Sequence, residues 1–173
     1  MNQQTKTVLI VGAIALILII TPMTVSAAED LIKNFEGEYL TSYDDGTGRQ
    51  TIGFGSIYNY DEQRPVRKGD VITEATAIDW LRREMKSVVA DIKTVVKVPI
   101  NQNQLDSLTS FVYNLGIGNL KSSTLLKLLN QGADKQTVAD QFQYWNKAMI
   151  NGRLTAMKGL TIRRKAEADL FIK

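Results

Sequence analysis

The sequence predicts an α+β chain that is mostly helical, with a small hairpin lobe and a helical lobe joined by one long helix. Three observations predict it. Apolar residues recur at helical spacing from Ile78 to Val96, behind a plausible N-cap at Thr73 and ahead of Pro99. Residues 38–55 alternate apolar and polar and carry Asp45-Gly46 and Thr47-Gly48, the chemistry of a tight reversal. Beyond Pro99 the chain reads as capped amphipathic helices around a single core. A length of 173 residues suits one domain, or one domain with two lobes.

The chain opens on a targeting segment, residues 1–28, ahead of a body at 29–173. Lys6 is the only charge before Glu29, and Val8 to Ile20 is a nearly unbroken apolar run. The uncharged stretch 7–28 would measure about 33 Å as a helix, enough to cross a bilayer. Pro22 and Val25-Ser26-Ala27 also suit a cleaved secretory signal. Left uncut, the segment anchors the body to the inner membrane with Lys6 inside. Gly12, Ala13, Ala15 and several Thr and Ser moderate its hydrophobicity. Either way the body is exported to the periplasm. An intact anchor would hold Glu36 close to the membrane surface, roughly 12 Å from Ala28 along a helix, so that release activates.

A short helix ends at Glu36, because Gly37 can take the left-handed conformation that stops a helix. The hairpin follows, with Thr51-Ile52-Gly53-Phe54-Gly55 as its return strand. This puts a helix-end carboxylate, Glu36, beside a hairpin carboxylate, Asp45, and a strand hydroxyl, Thr51. Two carboxyl groups in different environments suit glycoside hydrolysis, one protonated as general acid and one ionised. The small lobe extends to about residue 72 through a polar loop in which Arg64, Arg67 and Lys68 form a basic cluster. The long helix runs over about 73–97. The helical lobe, 98–173, is expected to hold a helix capped by Asn103 and closed by Gly116, another capped by Ser123 and closed by Gly132, and a third begun by Asp134.

Composition narrows the chemistry further. The chain has no His and no Cys, which excludes the Ser-His-Asp triad, His-rich or Cys-rich zinc sites, a thiol nucleophile and disulfides. Carboxylates, hydroxyls, Lys, Tyr and Arg remain. A net charge of +3 suits an anionic wall or lipid surface and is too weak and scattered for nucleic acid. Gly53-x-Gly55 and Gly116-x-Gly118 lack the rest of any nucleotide motif, and Asp44-Asp45-Gly46 lacks EF-hand spacing.

The spacing Glu36, eight residues, Asp45, five residues, Thr51 resembles the signature of the phage-type lysozymes, glycoside hydrolase family 24. Tyr43-x-Asp45, Thr51-Ile52-Gly53-x-Gly55, Phe111-Val112-Tyr113-Asn114-Leu115-Gly116 and Ser122-Ser123-Thr124-Leu125-Leu126 are similar to further motifs of that family. So is Gly159-Leu160-x-x-Arg163-Arg164-x-x-Glu167, its closing helix. The resemblance implies a lysozyme-like two-lobed fold and a muramidase acting on peptidoglycan as a monomeric endolysin, with residues 1–28 a signal-arrest-release segment of the kind some relatives carry, which later leaves the membrane, or else a signal peptide. Catalysis would fall to Glu36, Asp45 and Thr51, with inversion and no metal or organic cofactor. Asn114 would hydrogen-bond sugar, or simply end its helix. Arg163, or else Arg164, would orient Glu36, in competition with an intrahelical pair to Glu167. Ser56 stands where several relatives have His, so an ion pair made there is lost. The rivals are a lytic transglycosylase, which needs only the acid, and a non-catalytic wall-binding lysis regulator, which needs neither carboxylate.

Overall fold

The structure, a computed structural model, is described for residues 26–150 and 152–173. The apolar run of the N-terminal segment lies outside the described residues, and among these no helix is long and apolar enough to cross a membrane. The first helix, α1, spans Ser26–Glu36 and so begins before the expected boundary at 29. Gly37 ends it at φ 72°, its N–H donating to the Lys33 carbonyl. Strands β1 (Tyr39–Asp44) and β2 (Gln50–Gly53) pair antiparallel with Tyr43 opposite Thr51 and an irregularity toward Tyr39. The return strand therefore ends two residues early, where Gly53 turns at φ 65° and Ile52 bridges to Ser56. Residues 70–72 close the other edge of β1, through Ser42 N–H to the Asp70 carbonyl and Ile72 N–H to the Leu40 carbonyl.

The loop that follows is more structured than its composition suggests. It contains the short pair β3 (Tyr58–Asn59) and β4 (Arg64–Pro65). Arg64 is not a free cation there. Its guanidinium forks onto Asp70 at 2.7 and 2.8 Å and reaches Glu62 at 2.7 Å, which holds the Asp70 carboxyl well below the usual carboxylate range.

Helix α2 (Glu74–Val95) opens on Thr73, whose hydroxyl accepts the Thr76 N–H, and its 22 residues measure about 33 Å. Its first half packs Ala77, Leu81 and Met85 against Ala28, Ile32 and Phe54, with Trp80 on Ile52 and Val66. Its second half packs Ile92 into a larger cluster with Leu105, Leu108, Phe111, Leu125, Phe142 and Phe171. One helix thus serves three apolar clusters.

Helix α3 (Gln102–Leu115) is capped by Asn101 rather than by Asn103. The reason is the capping box: Asn101 takes the Gln104 N–H while the Gln104 side chain takes the Asn101 N–H, satisfying two orphan amides together. Gly116 closes α3 at φ 82°, and α4 (Ile117–Ser122) follows at once. Ser123 caps α5 (Thr124–Asn130) and Asp134 caps α6 (Lys135–Ala139), which tightens into a 3-10 turn over Asp140–Trp145. Strands β5 (Lys147–Ile150) and β6 (Arg153–Ala156) form a hairpin where continuous helical packing was expected. Helix α7 (Lys158–Ile172) then crosses α3 and buries Arg163, Arg164 and Glu167.

Candidate active site

Glu36 stands on the last turn of α1 with its side chain about a quarter exposed. Arg163 of α7 donates through Nη1 to Glu36 Oε1 at 2.5 Å. The same guanidinium donates through Nε to Glu167 Oε1 at 3.2 Å and through Nη2 to the Ser110 carbonyl at 3.2 Å. The two roles that sequence set in competition are thus held together, because the guanidinium has donors on three sides. The second oxygen of Glu36, Oε2, faces Gly55, whose ideal Cβ position would lie 3.8 Å from it. Gly55 sits at φ 101°, a conformation that favours glycine.

Asp45 rides the turn between β1 and β2. Its Oδ1 accepts the Thr47 N–H at 2.8 Å and the Thr47 hydroxyl at 2.6 Å, and these bonds hold its carboxyl below the ordinary value. Asp44 Oδ1 takes the amides of Gly46 and Gly48, which ties the turn from its other side. Thr51, opposite Tyr43, is buried, and its hydroxyl has no hydrogen-bond partner among the described residues. Burial, then Tyr39, then the charges of Glu36 and Asp45 push the Tyr43 hydroxyl up.

Arg164 turns the other way. It lies fully buried, with Nη2 donating to Glu167 Oε1 at 2.9 Å and to Asn114 Oδ1 at 3.0 Å. Its Nε is 2.9 Å from Glu167 Oε2, an ion-pair contact without hydrogen-bond alignment. Asn114, expected either to meet sugar or to end its helix, therefore spends its amide oxygen on Arg164. A separate hollow of about 440 Å³ lies between α5 and the 3-10 turn, lined by Ser123, Gln141, Tyr144 and Trp145 among others.

Sequence reasoning missed Glu84. It sits on the buried face of α2, one turn from Trp80 and Leu81, and bonds the hydroxyls of Ser56, Tyr60 and Tyr113. The signal was legible: a glutamate at an apolar-stripe position needs partners, because a carboxylate leaving water unpaired is costly.

A carboxyl held by arginine at the end of α1, a second carboxylate on the β1–β2 turn and a buried hydroxyl on β2 are carried by neighbouring segments of the chain, ahead of a helical body. The chain belongs to the phage lysozyme family, whose model matches residues 33–167. It is 42% identical over 141 residues to the endolysin of Acyrthosiphon pisum secondary endosymbiont phage 1, covering 82% of this chain and 92% of that one. It is 34% identical over 137 residues to the SAR-endolysin of Bacteriophage PS119, covering 79% and 76%. Among solved structures, the endolysin from Escherichia coli O157:H7 phage FAHEc1 superposes with a TM-score of 0.77 at 38% identity, covering 84% of this chain and 90% of that one. The muramidase domain of SpmX from Asticcacaulis excentricus gives 0.76 at 31%, covering 85% and 95%.

Proposed function

We propose that the chain is an endolysin that hydrolyses the β-1,4 bond between N-acetylmuramic acid and N-acetylglucosamine in peptidoglycan and so lyses the host cell. The observation that carries the reading is the asymmetry of the two carboxyl groups. Arg163 orients Glu36 through one oxygen, and Glu36 serves as the general acid toward the leaving oxygen. Asp45 is held ionised by Thr47 and stabilises the oxocarbenium-like transition state. The Thr51 hydroxyl, without a protein partner among the described residues, orients the attacking water together with Asp45. The expected outcome is inversion, with water entering opposite the departing sugar. Asn114 and Arg164 back this site from α3 and α7, and the enzyme works as a monomer without a cofactor.

The resemblance to a SAR-endolysin supports export to the periplasm. The finer reading is a tether through residues 7–28 that is later released. In the folded body Ala28 is fully buried beside Ile32, Phe54 and Leu81. A span over residues 7–28 puts Ala28 in lipid instead. The two placements exclude one another, so release lets the first turn of α1 dock and brings Glu36 to its partners.

The test is wall degradation by the full chain beside Asp45→Asn and Thr51→Ala. Both variants are expected to keep the parent fold and lose kcat, Asp45→Asn by about 10²- to 10⁴-fold and Thr51→Ala by about tenfold or more. Parental rates in Asp45→Asn would remove Asp45 from the chemistry.

A further inference from the structure

Glu84 of α2 gathers hydroxyls from three other segments. Ser56 Oγ donates to its Oε1 at 2.6 Å, Tyr60 OH reaches the same oxygen at 3.3 Å, and Tyr113 OH lies 2.7 Å from Oε2. Two of these hydroxyls face a second acceptor as well. Tyr113 OH is 2.9 Å from the Phe54 carbonyl oxygen, and Ser56 Oγ is 3.0 Å from that of Tyr58. A hydroxyl has one proton, so each must divide it between a carboxylate oxygen and a main-chain carbonyl. The carboxylate, the hydroxyls and the carbonyls are therefore coupled: shifting one changes what the others can bond.

What this cluster grips is the main chain from Phe54 to Tyr58. Gly55 lies inside that stretch, and its ideal Cβ position would be 3.8 Å from Glu36 Oε2 and 4.0 Å from Tyr113 Cε1. Arg163 fixes one oxygen of Glu36 from the helical side, and this stretch of backbone bounds the other. Burial, followed by the nearby Glu84 carboxylate, pushes the Tyr113 hydroxyl far above its ordinary range, so it remains a donor at any working pH.

We infer that Glu84 is a positioning residue: through Tyr113 and Ser56 it sets the Phe54–Ser56 backbone against which the Glu36 carboxyl is aligned. The inference rests on the reading of Glu36 as the proton donor. Ser56 thereby acquires a role of its own, joining the strand-end loop to α2 by a hydroxyl rather than by an ion pair.

Three variants of the full chain test it. Tyr113→Phe keeps the ring and removes the hydroxyl. Glu84→Ala removes the hub. Glu84→Gln keeps its shape, with a carbonyl to accept from Ser56 and an amide to donate to the Tyr113 oxygen. The measurements are made where circular dichroism finds every variant folded. There kcat on purified peptidoglycan is expected to fall about 10- to 100-fold in Tyr113→Phe and Glu84→Ala, with KM within about threefold. Glu84→Gln is expected to restore kcat to within about threefold of the parent. The Ile52 and Ser56 amides, which bond each other's carbonyls, are expected to exchange at least about tenfold faster in the two impaired variants and at the parental rate in Glu84→Gln. Parental kcat in Tyr113→Phe overturns the inference whatever its exchange. So does a loss confined to KM, or a Gln variant as impaired as the Ala one. If the parent itself does not degrade peptidoglycan, the muramidase reading fails, and amide exchange alone decides whether Glu84 sets this backbone.

Discussion

Glu36→Gln is expected to slow hydrolysis of purified peptidoglycan by about 10²- to 10⁴-fold, the usual worth of a positioned general acid. The change replaces the transferable proton and little else. The glutamine carbonyl still accepts from Arg163 Nη1, and its amide occupies the space of Oε2 beside Gly55. Because the side chain is about a quarter exposed, loss of its charge costs stability only modestly. The thermal midpoint is therefore expected to stay within a few degrees of the parent. Activity within tenfold of the parent would put the proton donor elsewhere.

The largest loss of stability is expected from Glu167→Ala. Glu167 is fully buried, and its Oε1 accepts from Arg163 Nε, Arg164 Nη2 and Ser110 Oγ. Burial pushes the Arg164 guanidinium down to about 10, still charged at neutral pH. Removing the carboxylate strands Arg164, completely buried, and leaves Arg163, 3% exposed, with Glu36 alone as a carboxylate partner among the described residues. Breaking a buried pair from one side costs about 3–5 kcal/mol. For a chain of this size that lowers the midpoint by roughly 10 °C in calorimetry. The contrast is Lys165→Ala, which breaks an exposed pair to Asp169 on the same helix and should change stability by less than about 0.5 kcal/mol. Equal effects from the two variants would mean that the α3–α7 seam does not depend on its charges.

How far the sequence could be read depended on the range of each interaction. Glu36 at a helix end was legible because Gly37 stops α1 within one residue. The Thr73 and Ser123 caps were legible because each accepts an amide three residues on. Asn101 and Asn103 have the same cap chemistry, and only the reciprocal partner Gln104 chooses between them. The β5–β6 hairpin was missed although Asn151-Gly152 is a strong hairpin signal, because the surrounding residues do not alternate cleanly and both strands stay exposed. The triple engagement of Arg163 was beyond reach, since it joins α1, α3 and α7 across 127 and 53 positions. Glu84 was half legible: a buried-face glutamate announces that it has partners, but nothing local names Ser56, 28 positions away, or Tyr113, 29 away.

Glu36 and Asp45 together are expected to cleave the muramic acid linkage by hydrolysis. The most direct measurement is the identity of the sugar ends released by the full chain from purified peptidoglycan, read by mass spectrometry after borohydride reduction. Hydrolysis at that linkage predicts fragments ending in reduced N-acetylmuramic acid. Anhydro-muramic ends, which resist reduction, would mean internal attack without water, and fragments ending in reduced N-acetylglucosamine would mean that the other bond is cut; either result rules out muramidase hydrolysis by this pair.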